Sequence, residues 1–395
     1  MAPVMRLGNL TLDAPFYQAG LAGYSDAAMR LIARRHGAPY CVTEAMLDQF
    51  LLHGGKGLKA AELDDEDHPI CGQLMGSHPA DIAAAAKVLV GLGYDVVDVN
   101  LACPVKKIRK KARGGHLLSE PDEAIAILDA VRNAVAGDVP VTCKLRRGYD
   151  DTPASTAGFY RIFEAAMELG LAGATVHSRT VDQKYNGPGR RPFLRQLAER
   201  YALGRYATAR GPRLEADPHR ATSAAASDEV TPTPAVHPRQ FCLAGSGDVW
   251  TAADIFRMLD DTGVDGVSVA RGCIGNPWVF TQAREYLAGD PLALTRPPTV
   301  HQQRDVLLEH LELSVRLHGD RQASKMMRKF GIRFARHHPD PDAVKADFIA
   351  CQCLDDWQGV IAARYAENAP GNAVDDAVPE EARTQRDAST CMAGA

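Results

Sequence analysis

Val96-Val97-Asp98-Val99-Asn100-Leu101-Ala102-Cys103-Pro104-Val105-Lys106-Lys107 is the stretch from which the chain is best read. The run from Val96 to Leu101 is short and mostly apolar, as a buried strand is. It ends at Cys103-Pro104, and proline does not continue a strand interior. A thiol is thereby placed on the loop after the carboxyl end of a strand. Lys106, Lys107, Arg109, Lys110, Lys111 and Arg113 follow, and Gly114-Gly115 then supplies a flexible turn. A proton donor and a segment that attracts polyanions share one loop.

Outward from this stretch, strand-like and helix-like runs alternate. Before it come strands at Phe16 to Gln18, Tyr40 to Glu44 and Pro69 to Leu74. After it come strands at Val139 to Leu145, Ala174 to His177, Phe241 to Ala244 and Gly266 to Ala270. Helical periodicity fills the gaps. Ser25 or Asp26 caps the helix carrying Ala28, Leu31 and Ile32. Further helices are expected over Pro79 to Leu92, Pro121 to Ala136, Gly158 to Leu169, Phe193 to Tyr201 and Ala252 to Leu259. Eight such pairs imply a (β/α)8 TIM barrel, whose active site is built from the loops after the strands. The strands are expected to be apolar, as a barrel filled by side chains requires. Pro298 to Tyr365 reads as a small C-terminal helical domain with breaks near Gly319 and His337-His338-Pro339. The barrel is thus assigned to residues 1–290. Residues from about 203 to 238 read as a disordered insertion, and 366–395 as a disordered tail, because both are polar and lack apolar periodicity.

Composition narrows the class. The 395 residues are 46% hydrophobic and 24% charged, with a formal net charge of −4. A chain of that charge binds nucleic acid only through local patches. The nine cysteines show no regular pairing, which fits a reducing cytoplasm, and Cys351 and Cys353 are too close and too isolated for a structural zinc site. No metal site is expected. The N-terminus lacks the layout of a signal peptide, and no apolar run approaches the ~20 residues of a membrane helix.

The polar residues at the expected mouth are Gln73, Asn100, Cys103, Lys144, His177, Arg179, Ser246 and Arg271. Arg271-Gly272 follows the eighth strand, and Gly245-Ser246-Gly247 lies on the loop before it. Loops seven and eight of such barrels commonly hold a phosphate. Lys144 suits a Schiff-base amine or the counterion of an anionic cofactor. His177 with Arg179 suits an anion. Cys41, Cys71, Cys143, Cys242 and Cys273 lie on or beside strands and read as packing. Cys103 alone lies on the active face among cations that lower a thiol pKa and make it a usable acid. A second basic strip, Lys325, Lys329, Arg333 and Arg336 with Arg328 alongside, recurs at helical spacing beside Met326, Phe330 and Phe334. Two cationic strips on an acidic chain point to a polyanion such as RNA or DNA.

At these residues the sequence resembles the tRNA-dihydrouridine synthases. The matching stretches are Ala22-Gly23-Tyr24-Ser25-Asp26, Gln73, Asn100 to Lys107, Lys144-Leu145-Arg146, His177-Ser178-Arg179-Thr180, Gly247-Asp248 and Ala270-Arg271-Gly272. They run in the family's order over roughly residues 14 to 336. The pattern departs from the family's usual one at Gly20-Leu21, Ala102, Ser246 and Ala270, mostly small for small or apolar for apolar.

The resemblance implies an FMN-containing barrel, a C-terminal tRNA-binding helical domain, and NADPH as reductant. It implies hydride transfer from reduced flavin to C6 of a uracil and protonation of C5 by Cys103. Gln73, Lys144, His177 and Arg271 would contact the flavin, with Gly247, Gly272 and Arg271 at its phosphate and Ser246, Asp248 and Ala270 in the same site. Asn100 and Arg179 would face the uracil or its nucleotide. Lys106, Lys107, Lys325, Arg328, Lys329 and Arg333 would meet the tRNA. A monomer is expected. The alternative is an FMN-dependent TIM-barrel reductase of a free small molecule, which has no use for the basic helix.

Overall fold

A strand buried on both faces needs a partner at each edge, and closing a ring is the way to give every strand two. The computed structural model describes residues 4–109, 111–204 and 241–373, with the side chains of Lys56, Lys107 and Arg109 outside that description. An antiparallel hairpin, β1 (Met5–Leu7) and β2 (Leu10–Leu12), comes first. Then follow β3 (Phe16–Gln18), β4 (Cys41–Val42), β5 (Met46–Leu47), β6 (Ile70–Met75), β7 (Val96–Asn100), β8 (Val141–Arg146), β9 (Gly173–His177), β10 (Cys242–Ser246) and β11 (Gly266–Val269). Parallel pairing runs β3-β4-β6-β7-β8-β9-β10-β11 and back to β3, while β5 adds a short pairing to β6. This is the expected (β/α)8 barrel, followed by helices Val300–His318, Asp320–Phe334, Pro341–Ala350 and Leu354–Arg364.

The alternation of side chains along each strand creates two cores. Outward residues such as Val97, Val99, Cys143, Leu145 and Val176 pack under the helices. The helix Pro121–Ala134 offers Ala124, Ile127, Leu128 and Val131, a spacing that lines up one face. Each large side chain buried this way contributes about 1.5–3 kcal/mol. Inward residues Tyr17, Tyr40, Val42, Cys71, Val96, Cys242 and Ala244 form a second cluster with Met5, Leu7 and Leu12. The hairpin β1–β2 therefore plugs the amino-terminal end of the barrel, a role its three-residue strands did not announce.

The barrel interior is not apolar as expected. Tyr17 Oη lies 2.6 Å from Thr175 Oγ1, and Thr142 Oγ1 donates to Asp98 Oδ1 at 2.6 Å. These polar groups tolerate burial because they satisfy one another.

Several boundaries shift for local reasons. The helix read from Gly158 starts at Pro153, capped by Thr152, whose side chain accepts from Ser155 N. Gly158 is interior instead, and a Cβ there would press on Pro121. Strand β10 runs on through Gly245 and Ser246, in register with Val176 and His177. These two residues are strand, not loop. The first two residues of the expected insertion are described; residues 205–238 lie outside the description, as do 374–395 of the expected tail. Residues 366–373 are held: Ala369 O accepts from Val300 N at 2.9 Å, and Asn372 N donates to His337 O at 2.7 Å.

The helical region closes around Phe330, Phe334, Phe348 and Trp357, the last two stacked 4.8 Å apart. Gly331 lets them approach, since a Cβ there would meet Trp357. The region docks on the barrel through Tyr24 against Phe330, Trp278 against Phe334, and His318 Nε2 2.9 Å from Asp26 Oδ2. Asp26 also caps the first barrel helix.

His310 and His337 are buried here, their pKa values pushed down by burial to about 4 and about 3. Unfolded, each titrates near 6.5. Above that pH neither state is protonated; below it only the unfolded chain takes the proton. Stability should therefore fall with pH below about 6.5, by roughly 1.4 kcal/mol per pH unit for each such histidine. Urea unfolding between pH 7.5 and 5 checks this, and H310F should flatten the decline.

Candidate active site

Cys103 is half-buried on the loop after β7. The Ala102-Cys103 backbone is fixed by three hydrogen bonds. Ala102 N donates to Asn100 Oδ1 at 3.0 Å, Arg146 Nε donates to Ala102 O at 2.9 Å, and Gly115 N donates to Cys103 O at 3.0 Å. Gly114, at φ +56, closes over the thiol's own Cβ, and a side chain at 114 would strike it. Arg146 also donates to Thr180 O at 2.8 Å and Lys184 O at 2.6 Å, so one buried guanidinium joins this loop to the loop after β9. Burial lowers the Arg146 pKa to about 10, which still leaves a cation at neutral pH close enough to feel Cys103.

Beneath the loop runs a polar chain. Gln73 Nε2 donates to Asp98 Oδ2 at 2.9 Å, and Asn100 Nδ2 donates to Gln73 Oε1 at 2.7 Å. Gln73, Asp98 and Asn100 are all nearly buried. Gln73 and Asn100 are thus engaged with each other inside the barrel, and each amide nitrogen carries a second N–H. Burial pushes the Asp98 carboxyl up, opposed by the hydrogen bonds from Thr142 and Gln73 and by the Lys144 ammonium. Lys144, within β8 and in register with Asn100, is pushed down by burial, and Asp98 opposes that shift.

His177 ends β9. Its Nδ1 accepts from Arg179 N at 3.2 Å, which leaves the proton on Nε2. Burial, with the charges of Arg146, Arg179, Lys144 and Arg271, holds its pKa well below 6.5. A neutral ring with an N–H donor therefore lies against Gly247, which has φ +109. The loop backbones approach closely at Gly272, where a Cβ would collide with Val249 O and the Trp250 backbone. The Arg271 guanidinium stacks 4.5 Å from the Trp250 ring and 5.0 Å from Tyr185. Ala270, half-buried, precedes it.

Three of the expected site residues are buried or engaged with protein partners. Arg179 does not face the mouth: it is fully buried, with Nε donating to Gly187 O at 2.8 Å and Nη1 2.7 Å from Asp248 Oδ1. Asp248 is the other half of that strut, and also accepts from Gly189 N at 2.8 Å. Ser246 is 1% exposed within β10, so its side chain is not a loop donor. The basic strips are also divided. Lys106 is exposed, and the Lys107 side chain lies outside the description. Arg113 lies 3.5 Å from buried Asp48 and ties down the segment after Cys103. Lys325 is exposed and Arg328 half-buried. The Lys329 ammonium instead donates to Gly23 O and sits 4.9 Å from the Tyr24 ring, and Arg333 packs on Gly275. That stripe borders two mouth loops rather than a free helix face.

Asp98, Arg146, Tyr185 and Trp250 were not assigned. Asp98 and Arg146 carried a signal: each stands two residues from a chosen residue on the same strand face, Asn100 and Lys144. Tyr185 and Trp250 lie on irregular loops and carried none.

A family model described as dihydrouridine synthase matches residues 17–200 and 239–348. The tRNA-dihydrouridine synthase B of Xanthomonas campestris pv. campestris is 31% identical over 347 residues, covering 88% of this chain and 90% of its own. A probable tRNA-dihydrouridine synthase of Rhodobacter capsulatus is 31% identical over 337 residues, covering 84% of this chain and 87% of its own. Among solved structures, histamine dehydrogenase from Rhizobium sp. 4-9 shares the fold with a TM-score of 0.50 at 14% identity, over 77% of this chain and 50% of that chain.

Replacing Arg146 by Met should leave buried carbonyls without donors, at a cost of about 2–4 kcal/mol. Urea unfolding reads that loss, and chymotrypsin should cut after Tyr185 faster than in the wild type.

Proposed function

The chain belongs to the dihydrouridine synthase family, and from that premise we propose that it reduces the 5,6 double bond of specific uridines in tRNA. The observation that carries this reading is a thiol on a pinned loop beside a mouth ringed by Lys144, Arg146, His177 and Arg271. The donor set suits FMN. Gln73 and Lys144 offer N–H groups to ring carbonyls, and Arg271 with the backbone at Gly247 and Gly272 suits a phosphate. The buried Ser178 hydroxyl, which has no hydrogen-bond partner among the described residues, lies against Gly247 in the same cradle. When bound, FMN supplies a hydride, replenished from NADPH, to C6 of the uracil.

The protein's own part is positioning and proton delivery. Cys103 gives its Sγ proton to C5, the S–H bond breaking as the C–H bond forms, and solvent returns the proton. The nearby Arg146 charge favours the departing thiolate. His177 stays neutral and donates through Nε2. Asn100 turns its second N–H toward the uracil. A uridine must leave its stack to enter such a mouth, and the cations that remain at the rim, Lys106, Lys325 and Arg328, would hold the phosphates around it. No described helix is long and apolar enough to cross a membrane, and action in the cytoplasm is part of the same reading.

The test uses tRNA from cells lacking this protein, incubated with enzyme and NADPH and digested for mass spectrometry. Dihydrouridine should form with the wild type and fall by about 10²-fold or more with C103A. A protein that is yellow and reducible by NADPH but makes no dihydrouridine would defeat the tRNA assignment.

A further inference from the structure

We propose that Asp98 is a positioning residue whose hydrogen-bond acceptors, acting through Gln73 and Asn100, fix the Ala102 amide, one residue before Cys103. This deepens the tRNA-reduction reading and rests on it for the role of the thiol. The argument is one of polarity. The Ala102 N–H at one end of the chain can only donate, and the carboxylate at the other end can only accept. Between them stand two side-chain amides, each able to point either way. With Asp98 accepting from Gln73 Nε2, Gln73 Oε1 must face Asn100. Asn100 must then spend Nδ2 on Gln73 and turn Oδ1 to Ala102 N. Reverse any link and two donors or two acceptors meet in a buried site.

The second consequence falls on the mouth. The same polarity leaves Gln73 and Asn100 each with an N–H to donate there and no whole carbonyl to offer. The site therefore selects for groups that accept, such as ring carbonyl oxygens. Thr142 adds a third anchor, donating to the other Asp98 oxygen, while Thr43 Oγ1 accepts from Gln73 N at 3.1 Å and holds that strand.

The experiment compares full-length wild type, D98L and D98N by hydrogen exchange over the peptide 101–105. Leucine removes both acceptors. Asparagine keeps one for Gln73 and can turn its amide toward the Thr142 oxygen. Exchange in D98L should be faster by roughly tenfold or more, with D98N close to the wild type. In turnover, D98L should lower kcat by about tenfold or more and leave KM for tRNA unchanged. Protection in D98L equal to the wild type would overturn the proposal. So would D98N exchanging as fast as D98L, since charge beside Lys144 and not acceptor geometry would then be at work. If D98L loses cooperative unfolding, Q73M breaks the middle link with Asp98 in place: faster exchange supports the relay, and unchanged exchange overturns it. Wild type that makes no dihydrouridine would sink the functional reading alone, because exchange still judges the relay.

Discussion

A carboxylate buried in a barrel core accepts hydrogen bonds and gives none, and the interior of this barrel is arranged around that asymmetry. Asp98 draws a hydroxyl from β8 and an amide from β6, so three neighbouring strands share one polar centre. In a purely apolar core, packing would set distances but not directions. Here the direction of each amide is set as well, up to the peptide before Cys103. The hairpin plug matters for the same reason. By covering the amino-terminal end with Met5 and Leu7, it keeps water from competing for these bonds, which are stronger when dry.

Buried arginines do for the loops what Asp98 does for the strands. Arg146 spans the Cys103 loop and the loop after β9, and Arg179 spans that loop and Asp248. Loops at a barrel mouth are the mobile part of the fold. A planar guanidinium with several fixed donors ties two of them together at small entropic cost. The mouth is thereby pre-organised by cations whose charge also falls on the site. His177 carries the result: surrounded by positive charge and desolvated, it remains neutral.

Strand order, barrel closure and the helical region were legible because each depends on periodicity, which a single sequence displays. Cys103, Lys144 and His177 stood out because each lies in the carboxyl half of a strand or on the loop just past it, the side on which such a barrel has its mouth. Arg179 drew notice because a charged residue next to a site looks like a ligand. Only the path of residues 182–190 shows that Gly187 O and Asp248 consume it. Ser246 was placed on a loop because Gly-Ser-Gly favours a turn locally, whereas Gly245 lies in β10, where Met258 packs against it. Asp98 was passed over because an acid inside an apolar run has no visible partner until Thr142 and Gln73, far away in sequence, are brought beside it.

The placement of the helical region follows from the size of the proposed substrate. A barrel mouth holds one nucleotide, but a tRNA presents phosphates well beyond it. Cations that steer such a substrate must therefore lie on a second body fixed relative to the mouth, since a charge more than a Debye length away is screened. Helix Asp320–Phe334 docks on the loops after β3 and β11 through Phe330, Lys329 and Arg333, which is where the proposed function would need such a body. The lysine that looked like a free RNA contact is thus more useful where it is. Seated on Gly23 O and the Tyr24 ring, Lys329 holds the helix at the rim, and Lys325, one turn away, remains exposed.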